Sequence, residues 1–437
     1  MPSHSDDCSP PLLVQRKVSR SPVDDNTPTS RPILSRQVTY ALGLLTVLHL
    51  LGHLDRRILA AVFPLIQDEW RLSDVQLGLV ATSYALTRSL VTLPASWLAD
   101  RRGRVWVLRL ASTSWGVLGT LSGLAGHFWQ FLIARTGTGL ADGANGPADI
   151  AFLSDLFPKK WRGRALSLYS LGMYGGSALG FIVGGSIGER WGWRWAFIAP
   201  GLLGCLCAAF IARLREPPQA KHTLTNGDTI SVGLPELLRA MVSPGPLLGL
   251  FGGSLGLFTT TALASWTPTF IHRYHGNSVS QAGLITGLVF LPASVLGVLI
   301  SGILSDRLLS RTPSARLLVA ASGLWIGAPF GLLSILTPTW PIYVISLFLA
   351  TLFLSSYLTP LMAFVQEAVP PQWRATAMAL CLLITQMAGG ATATLAVGAL
   401  SDTLGLRAAM LLPLATALLG GAALSLGTRH SLSDSTR

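Results

Sequence analysis

The feature that most limits the possible folds is a series of long apolar segments. Twelve of them run through the chain, at about 38–62, 76–98, 105–125, 128–152, 164–188, 193–213, 244–270, 280–304, 314–336, 340–366, 374–400 and 406–427. Each reaches about 20 residues or more, the length of helix that crosses the hydrocarbon core of a bilayer. Half of the 437 residues are hydrophobic and only 12% are charged, the wrong balance for a soluble domain of this size. In lipid every backbone polar group must be satisfied within its own segment, so apolar runs of this length become helices. The sequence predicts an all-α polytopic membrane protein.

The net charge of +12 is no nucleic-acid signature, because the bases lie in short loops. Arg101, Arg102 and Arg104 follow the second segment, and Lys159, Lys160, Arg162 and Arg164 follow the fourth. Arg213, Arg215, Lys221 and Arg239 follow the sixth, and Arg307, Arg311 and Arg316 the eighth. The alternate loops hold few: Arg71, Arg190, Arg194, Arg273 and Arg407. The positive-inside rule then puts both termini in the cytoplasm. Residues 1–36 are rich in Ser, Pro and Asp and read as a disordered cytoplasmic segment rather than a signal peptide. Residues 214–243 read as a cytoplasmic linker and 428–437 as a cytoplasmic tail. Of four cysteines, Cys8 lies in that first segment and Cys205, Cys207 and Cys381 in apolar runs. The pattern supports neither a disulfide framework nor a metal site.

Charge inside the apolar segments narrows the function. Arg135, Asp142 and Asp149 recur every seven residues in the fourth segment, about two helical turns apart and so on one face. An ionised side chain at the bilayer centre costs about 3 kcal/mol on insertion scales, so the stripe must face another helix or a water-filled path. Asp55 in the first segment lies at a depth similar to Arg135 if the two helices run in opposite directions, and the two could pair. His53 is either a direct participant or a polar residue tucked between helices, and Arg57 reads as a base snorkelling to the interface. Arg88, midway along the second segment, needs a carboxylate or an anionic ligand. Asp142, Asp55 and Arg135 are the candidate proton-coupling groups. Arg56, Arg88, Thr259, Trp266 and Tyr357 are the candidate substrate contacts. The second half has no charge deep in its segments, only Ser, Thr, Tyr and Gln clusters. A charged first half opposite a mildly polar, apolar second half suits an amphipathic substrate.

The chain repeats itself. Ser96-Trp-Leu-Ala-Asp100-Arg101 ends the second segment, and Gly302-Ile-Leu-Ser-Asp306-Arg307 ends the eighth. Asp155-Leu-Phe-Pro158-Lys-Lys-Trp161-Arg162 ends the fourth, and Glu367-Ala-Val-Pro370-Pro-Gln-Trp373-Arg374 the tenth. Two such pairs in the same relative places indicate a duplicated unit: a 37–213 bundle of six helices and a 244–427 bundle of six, related by pseudo-symmetry.

The loop Leu98-Ala-Asp100-Arg101-Arg102-Gly103-Arg104 resembles the best-known motif of the major facilitator superfamily. That resemblance implies gating roles for Asp100, Arg101, Arg104, Asp306, Arg307, Arg162 and Arg374, with Asp100 holding the halves together on the cytoplasmic side in the outward-open state. Leu54-Asp55-Arg56, Arg135-xxx-Gly139-xx-Asp142, Ser154-Asp155-Leu-Phe-Pro158, Trp266-Thr-Pro-Thr-Phe-Ile271, Val369-Pro-Pro-Gln-Trp-Arg374 and Gly398-Ala-Leu-Ser-Asp402 resemble the spinster branch of that superfamily. The branch implies a proton-linked or gradient-driven carrier of lysophospholipid-like substrates. Asp142 stands where the branch usually has Glu, Gly52 where it often has Asn, and Arg88 where an aromatic residue is common.

The expected protein is a monomeric secondary transporter of the bacterial cytoplasmic membrane. Its partners would be an amphipathic lipid, protons and the bilayer, with no nucleic acid, cofactor or metal. It lacks a phosphate loop for ATP drive and has no cluster of catalytic residues, so it is not expected to be an enzyme. A proton-coupled symporter of small organic anions and a multidrug efflux carrier are the alternatives.

Overall fold

The computed structural model describes residues 36–216, 241–312, 314–369 and 373–435. The expected disordered start lies outside the described residues except for Arg36, as does most of the 214–243 linker. Every described regular element is a helix.

The first half has six long helices, counted here as spans. They are Arg36–Ala61, Asp74–Arg102, Arg104–Gly123, Phe128–Leu156, Lys159–Trp191 and Trp193–Ile211, with a short helix Phe63–Trp70 between the first two. The second half has Pro244–His275, Val279–Leu309 and Ala315–Leu336 as its seventh to ninth spans. The tenth is Trp340–Ser355 continued by Leu358–Glu367, and the eleventh is Arg374–Thr385 continued by Ala391–Leu404. The twelfth is Leu406–Ala409 continued by Leu411–Ser435, so helix persists past residue 427. Nine of these spans are apolar enough to cross a membrane on length and composition. The second, third and fourth are not. Arg88 and the acids of the fourth span lower the apparent hydropathy of two of them, and Arg109 with a Ser/Thr-rich run lowers that of the third.

The duplication is visible in local structure. Ser73 and Gln76 form a capping box at the start of the second span, and Ser278 and Gln281 form one at the start of the eighth. Gly192 (φ +90°) and Gly405 (φ +80°) make the matching tight turns between the last two spans of each half. The break in the tenth span has a covalent cause. Pro360 has no N–H to donate to the carbonyl of Ser356, and the helix restarts at Leu358. The eleventh span bulges through a π turn at Gln386–Gly390.

Within the first half, the first span packs on the fifth and the third on the sixth. A Cβ at Gly176 would lie 2.2 Å from the carbonyl oxygen of Leu50, and one at Gly180 2.4 Å from that of Leu54. The glycine run of the fifth span therefore sets the separation of these helices. The halves meet where the second span packs on the eleventh and the fifth on the eighth.

Candidate functional site

The ion pairs of the fourth span are the centre of the first half. Arg135 is fully buried, and its Nη1 donates to Asp55 Oδ1 at 2.8 Å. Its guanidinium also lies over the rings of Tyr84 and Phe197, at 5.0 and 5.1 Å. The expected first-to-fourth pairing is therefore present. Asp142, two turns along, meets different partners. Asp142 Oδ2 accepts from Arg88 Nε at 2.8 Å and from the Tyr84 hydroxyl at 2.9 Å, and Arg56 Nε lies 3.6 Å from it. The three candidate coupling groups Asp142, Asp55 and Arg135 thus do not form one ion-pair cluster: the counter-charges of Asp142 are Arg88 and Arg56. Small residues account for this. A Cβ at Gly139 would stand 2.4 Å from Tyr84 O, and one at Gly143 2.2 Å from Arg88 O. These glycines let the second span approach the fourth so closely that Arg88 rather than Arg135 reaches Asp142. Gly52 fits against Asp142 in the same way, since a Cβ there would be 3.1 Å from Oδ1.

A cavity of about 390 Å³ lies between the halves. Its first-half wall carries four guanidinium groups, Arg56, Arg57, Arg88 and Arg135, with His53 and Tyr84. Its second-half wall is apolar or weakly polar, with Thr260, Thr261, Ser265, Phe290, Tyr357 and Gln386 among its residues. Of the sequence-based contacts, Arg56, Arg88 and Tyr357 line the cavity. Thr259 and Trp266 do not, and their expected substrate contact is corrected. Thr259 is fully buried and turns to the twelfth span, donating to Pro413 O at 2.9 Å. Trp266 packs on Phe63 and donates its indole N–H to Thr394 O at 3.1 Å. Arg57, expected at the membrane interface, lies in the cavity wall 5.6 Å from the Phe181 ring centre. No carboxylate pairs with it among the described residues.

The two ends of the cavity differ. On the base-poor face the halves are tied together. Arg273 of the seventh span donates to Asp74 of the second at 2.8 and 2.6 Å. Ser401 donates to the same carboxylate, and Asp402 accepts from Asp74 N and Val75 N at 2.8 and 3.1 Å. Glu189 of the fifth span accepts from Ser278 Oγ at 2.8 Å and Ser280 N at 2.6 Å, at the start of the eighth. Deeper in, Thr82 donates to Ala391 O at 2.7 Å. Outside these ties, Arg194 and then the Trp193 indole bond to Glu69 and hold its carboxyl below the usual carboxylate range.

The basic face has no such ties among the described residues. Arg104 pairs with Asp155 and Arg316 with Glu367, each within its own half. Arg374 Nε donates to Gln366 O at 3.0 Å. Asp100, Arg101, Asp306 and Arg307 are exposed, and Arg162 is half-buried. Asp100 and Asp306 have no ion-pair partner among the described residues. Among the described residues, the polar ties between the halves therefore lie on the base-poor face and not on the basic one.

Two six-helix halves around a central cavity, tied to each other at one end, are a transporter's architecture, and the sequence decides which. A sequence model described as the Major Facilitator Superfamily matches residues 45–393. The chain belongs to that superfamily. A solved structure, that of a bacterial homologue of the human lysosomal transporter spinster in an inward-facing and unoccupied conformation, superposes with a TM-score of 0.82. The match is 24% identical and covers 92% of this chain and 98% of that one, a likeness of fold. Protein spinster homolog 3 of Danio rerio is 27% identical over 401 residues, covering 87% of this chain and 80% of that protein. An MFS-type efflux pump of Mycolicibacterium smegmatis is also 27% identical, over 84% of this chain and 86% of that protein. The protein is thus an integral membrane transporter of the major facilitator superfamily, with relatives of the spinster type.

Sequence reasoning missed three parts of this transporter's machinery. Arg57 sits one residue past an expected contact, but its helical phase could not be judged without knowing which neighbour the first span packs on. The Asp74–Arg273–Asp402 clamp joins residues 199 and 328 apart in sequence, with no local signal beyond the capping box at Ser73. His49 and Tyr169, which lie against Asp149, sit in ordinary apolar stretches; only the seven-residue spacing of Asp149 points to their neighbourhood.

Proposed function

We propose that the protein is a spinster-type carrier that moves a single-chain amphiphile with an anionic head, such as a lysophospholipid, by alternating access. The observation that carries this reading is the surplus of positive charge in the first-half wall. Four arginines face the cavity against two carboxylates, a surplus of two charges: Arg56 and Arg88 share Asp142, Arg135 holds Asp55, and Arg57 pairs with no carboxylate among the described residues. A guanidinium without a carboxylate at the edge of an apolar cavity is a site for a phosphate or carboxylate head. The apolar second-half wall would take the chain. A small organic anion is less well matched, because it calls for cations from both halves and the second-half wall supplies none. Efflux of such amphiphiles is a second reading, favoured by the likeness to the mycobacterial pump.

The basic face is assigned to the cytoplasm of a bacterial cell, both termini with it, so that the cavity described above is the inward-facing one. Coupling to protons is assigned to Asp142. With Arg88 and Arg56 beside it, Asp142 is ionised. A substrate anion that draws these two arginines toward the cavity leaves Asp142 buried without its counter-charges, and it takes up a proton. Asp55 holds Arg135 apart from this exchange and keeps the first and fourth spans in register.

Thermal stabilisation of the purified protein tests the substrate class. Lysophospholipids are expected to raise the melting temperature in the parent and not in Arg57→Gln, while small dicarboxylates leave it unchanged. Stabilisation by dicarboxylates alone would overturn the assignment in favour of a small-anion symporter.

A further inference from the structure

A second titratable cluster lies two turns from Asp142 along the fourth span, and neither the ion pairs nor the substrate cavity uses it. Asp149 is 3% exposed. The Tyr169 hydroxyl bonds to its Oδ2 at 2.8 Å, and the same hydroxyl lies 2.8 Å from His49 Nδ1. The His49 ring stacks on that of Tyr169 with centres 4.1 Å apart. One hydroxyl proton serves one neighbour at a time: Tyr169 donates to an ionised Asp149 with a protonated Nδ1 of His49 behind it, or accepts from the protonated acid and donates to His49 Nδ1. No Arg or Lys forms an ion pair with Asp149 among the described residues.

The surroundings are accounted for on every side. The first span brings His49, with His53 edge-on to it at 4.6 Å, and Arg56. The second brings Arg88, already bonded to Asp142, and the fifth brings Tyr169. The third offers Trp115 and Ser112, the latter 3.1 Å from Asn145, and no charge. One turn farther, Asp155 is neutralised by Arg104.

Asp149 and Asp142 line one small space of about 20 Å³ together with His49, Arg56, Arg88 and Asn145, with Leu48 and Trp115 as its apolar side. That is enough room for water with several polar partners. Arg56 and Arg88 line this space and the substrate cavity alike, and so form the wall between the two.

We propose that Asp149, Tyr169 and His49 form a second proton site, which supplies Asp142 across this polar pocket when substrate draws Arg56 and Arg88 away. The proposal rests on the coupling role given to Asp142 and names the donor it needs. A buried carboxyl group with no ion-pair partner carries a proton rather than a charge. In the step, the acid of Asp149 gives its proton to water in the pocket, and that water gives one to the Asp142 carboxylate. Asp142 ends neutral and Asp149 ionised, its new charge held by the Tyr169 hydroxyl with His49 behind it. One proton moves about 10 Å along the helix axis, two turns, and nothing else is gained or lost.

Two measurements test this separately from the coupling role of Asp142. The first is infrared spectroscopy of the purified protein at neutral pH. The parent is expected to show a protonated-carboxyl band that Asp149→Asn removes and Asp142→Asn retains. The second is lysophospholipid uptake into proteoliposomes with and without an imposed pH gradient. Asp149→Asn is expected to lose the gradient stimulation while still being thermally stabilised by lysophospholipid. Tyr169→Phe, which keeps the stacked ring, is expected to move the pH at which stimulation is half-maximal. A band that survives Asp149→Asn overturns the proposal. So does an unmoved midpoint in Tyr169→Phe, which stands as the test if Asp149→Asn does not assemble. A parent with the band but no gradient response would instead overturn the coupling role of Asp142, and this proposal with it. Loss of stimulation in Asp142→Asn but not in Asp149→Asn would leave that role standing and remove this one.

Discussion

Replacing Asp74 by Asn should release the tied end of the cavity. Asp74 receives two bonds from Arg273, one from Ser401 and one from Gln67, and it is the point at which the second span is tied to the seventh and eleventh. Asn preserves the shape and an amide oxygen for the neutral donors, but removes the charge that Arg273 faces. Arg273 is 28% exposed and Asp74 only 5%, so water recovers part of the loss. A hydrogen bond to a charged group contributes about 1.5–3 kcal/mol, and the partial exposure of Arg273 places the expected loss near 2 kcal/mol. Because these bonds cross between the halves, the loss falls on this conformation and not on one with the base-poor face open. About 2 kcal/mol is roughly a 30-fold change in the ratio of the two states. Spin labels at Arg71→Cys and Thr403→Cys, exposed positions on either side of the clamp, report the change as a distance distribution. Asp74→Asn should enlarge the long-distance population. An unchanged distribution, or one shifted to shorter distances, would refute the clamp.

Other outcomes follow from the same geometry. Asp55→Asn leaves a fully buried guanidinium without its carboxylate, an effect of about 3–5 kcal/mol for a broken buried pair. Its melting temperature should fall markedly and recover in part when Arg135→Leu is added; equal stability of Asp55→Asn and the parent would count against the pair. Asp100→Asn should leave lysophospholipid binding unchanged, because Asp100 is exposed and far from the cavity in this state, but should slow exchange between inside and outside. A large loss of affinity at normal exchange rates would place Asp100 in the site instead of the gate.

Much of this molecule is legible in its sequence, because lipid leaves the chain few choices. Apolar length and loop bases mark the spans, and the paired Asp100/Asp306 and Trp161/Trp373 motifs mark the two halves. The seven-residue stripe on the fourth span identifies the helix that carries the charge. What the stripe could not reveal is which arginine meets which acid. Depth along the helix axis pairs Arg135 with Asp55, but the partner of Asp142 depends on how closely the second span approaches. That approach is set by the absent side chains of Gly139 and Gly143. Thr259 and Trp266 were misread for a related reason. A polar or aromatic residue on a buried helix faces either a cavity or a neighbouring helix, and only rotation about the axis decides. Thr259 meets the twelfth span and Trp266 the eleventh.

The central claim, an amphiphile carrier driven through Asp142, is tested most directly by lysophospholipid flux in proteoliposomes with and without a pH gradient, for the parent and Asp142→Asn. The parent should move the lipid and respond to the gradient, and Asp142→Asn should still exchange the lipid while losing that response. A parent that does not move the lipid, or an Asp142→Asn variant with the parent's full gradient response, would contradict the account.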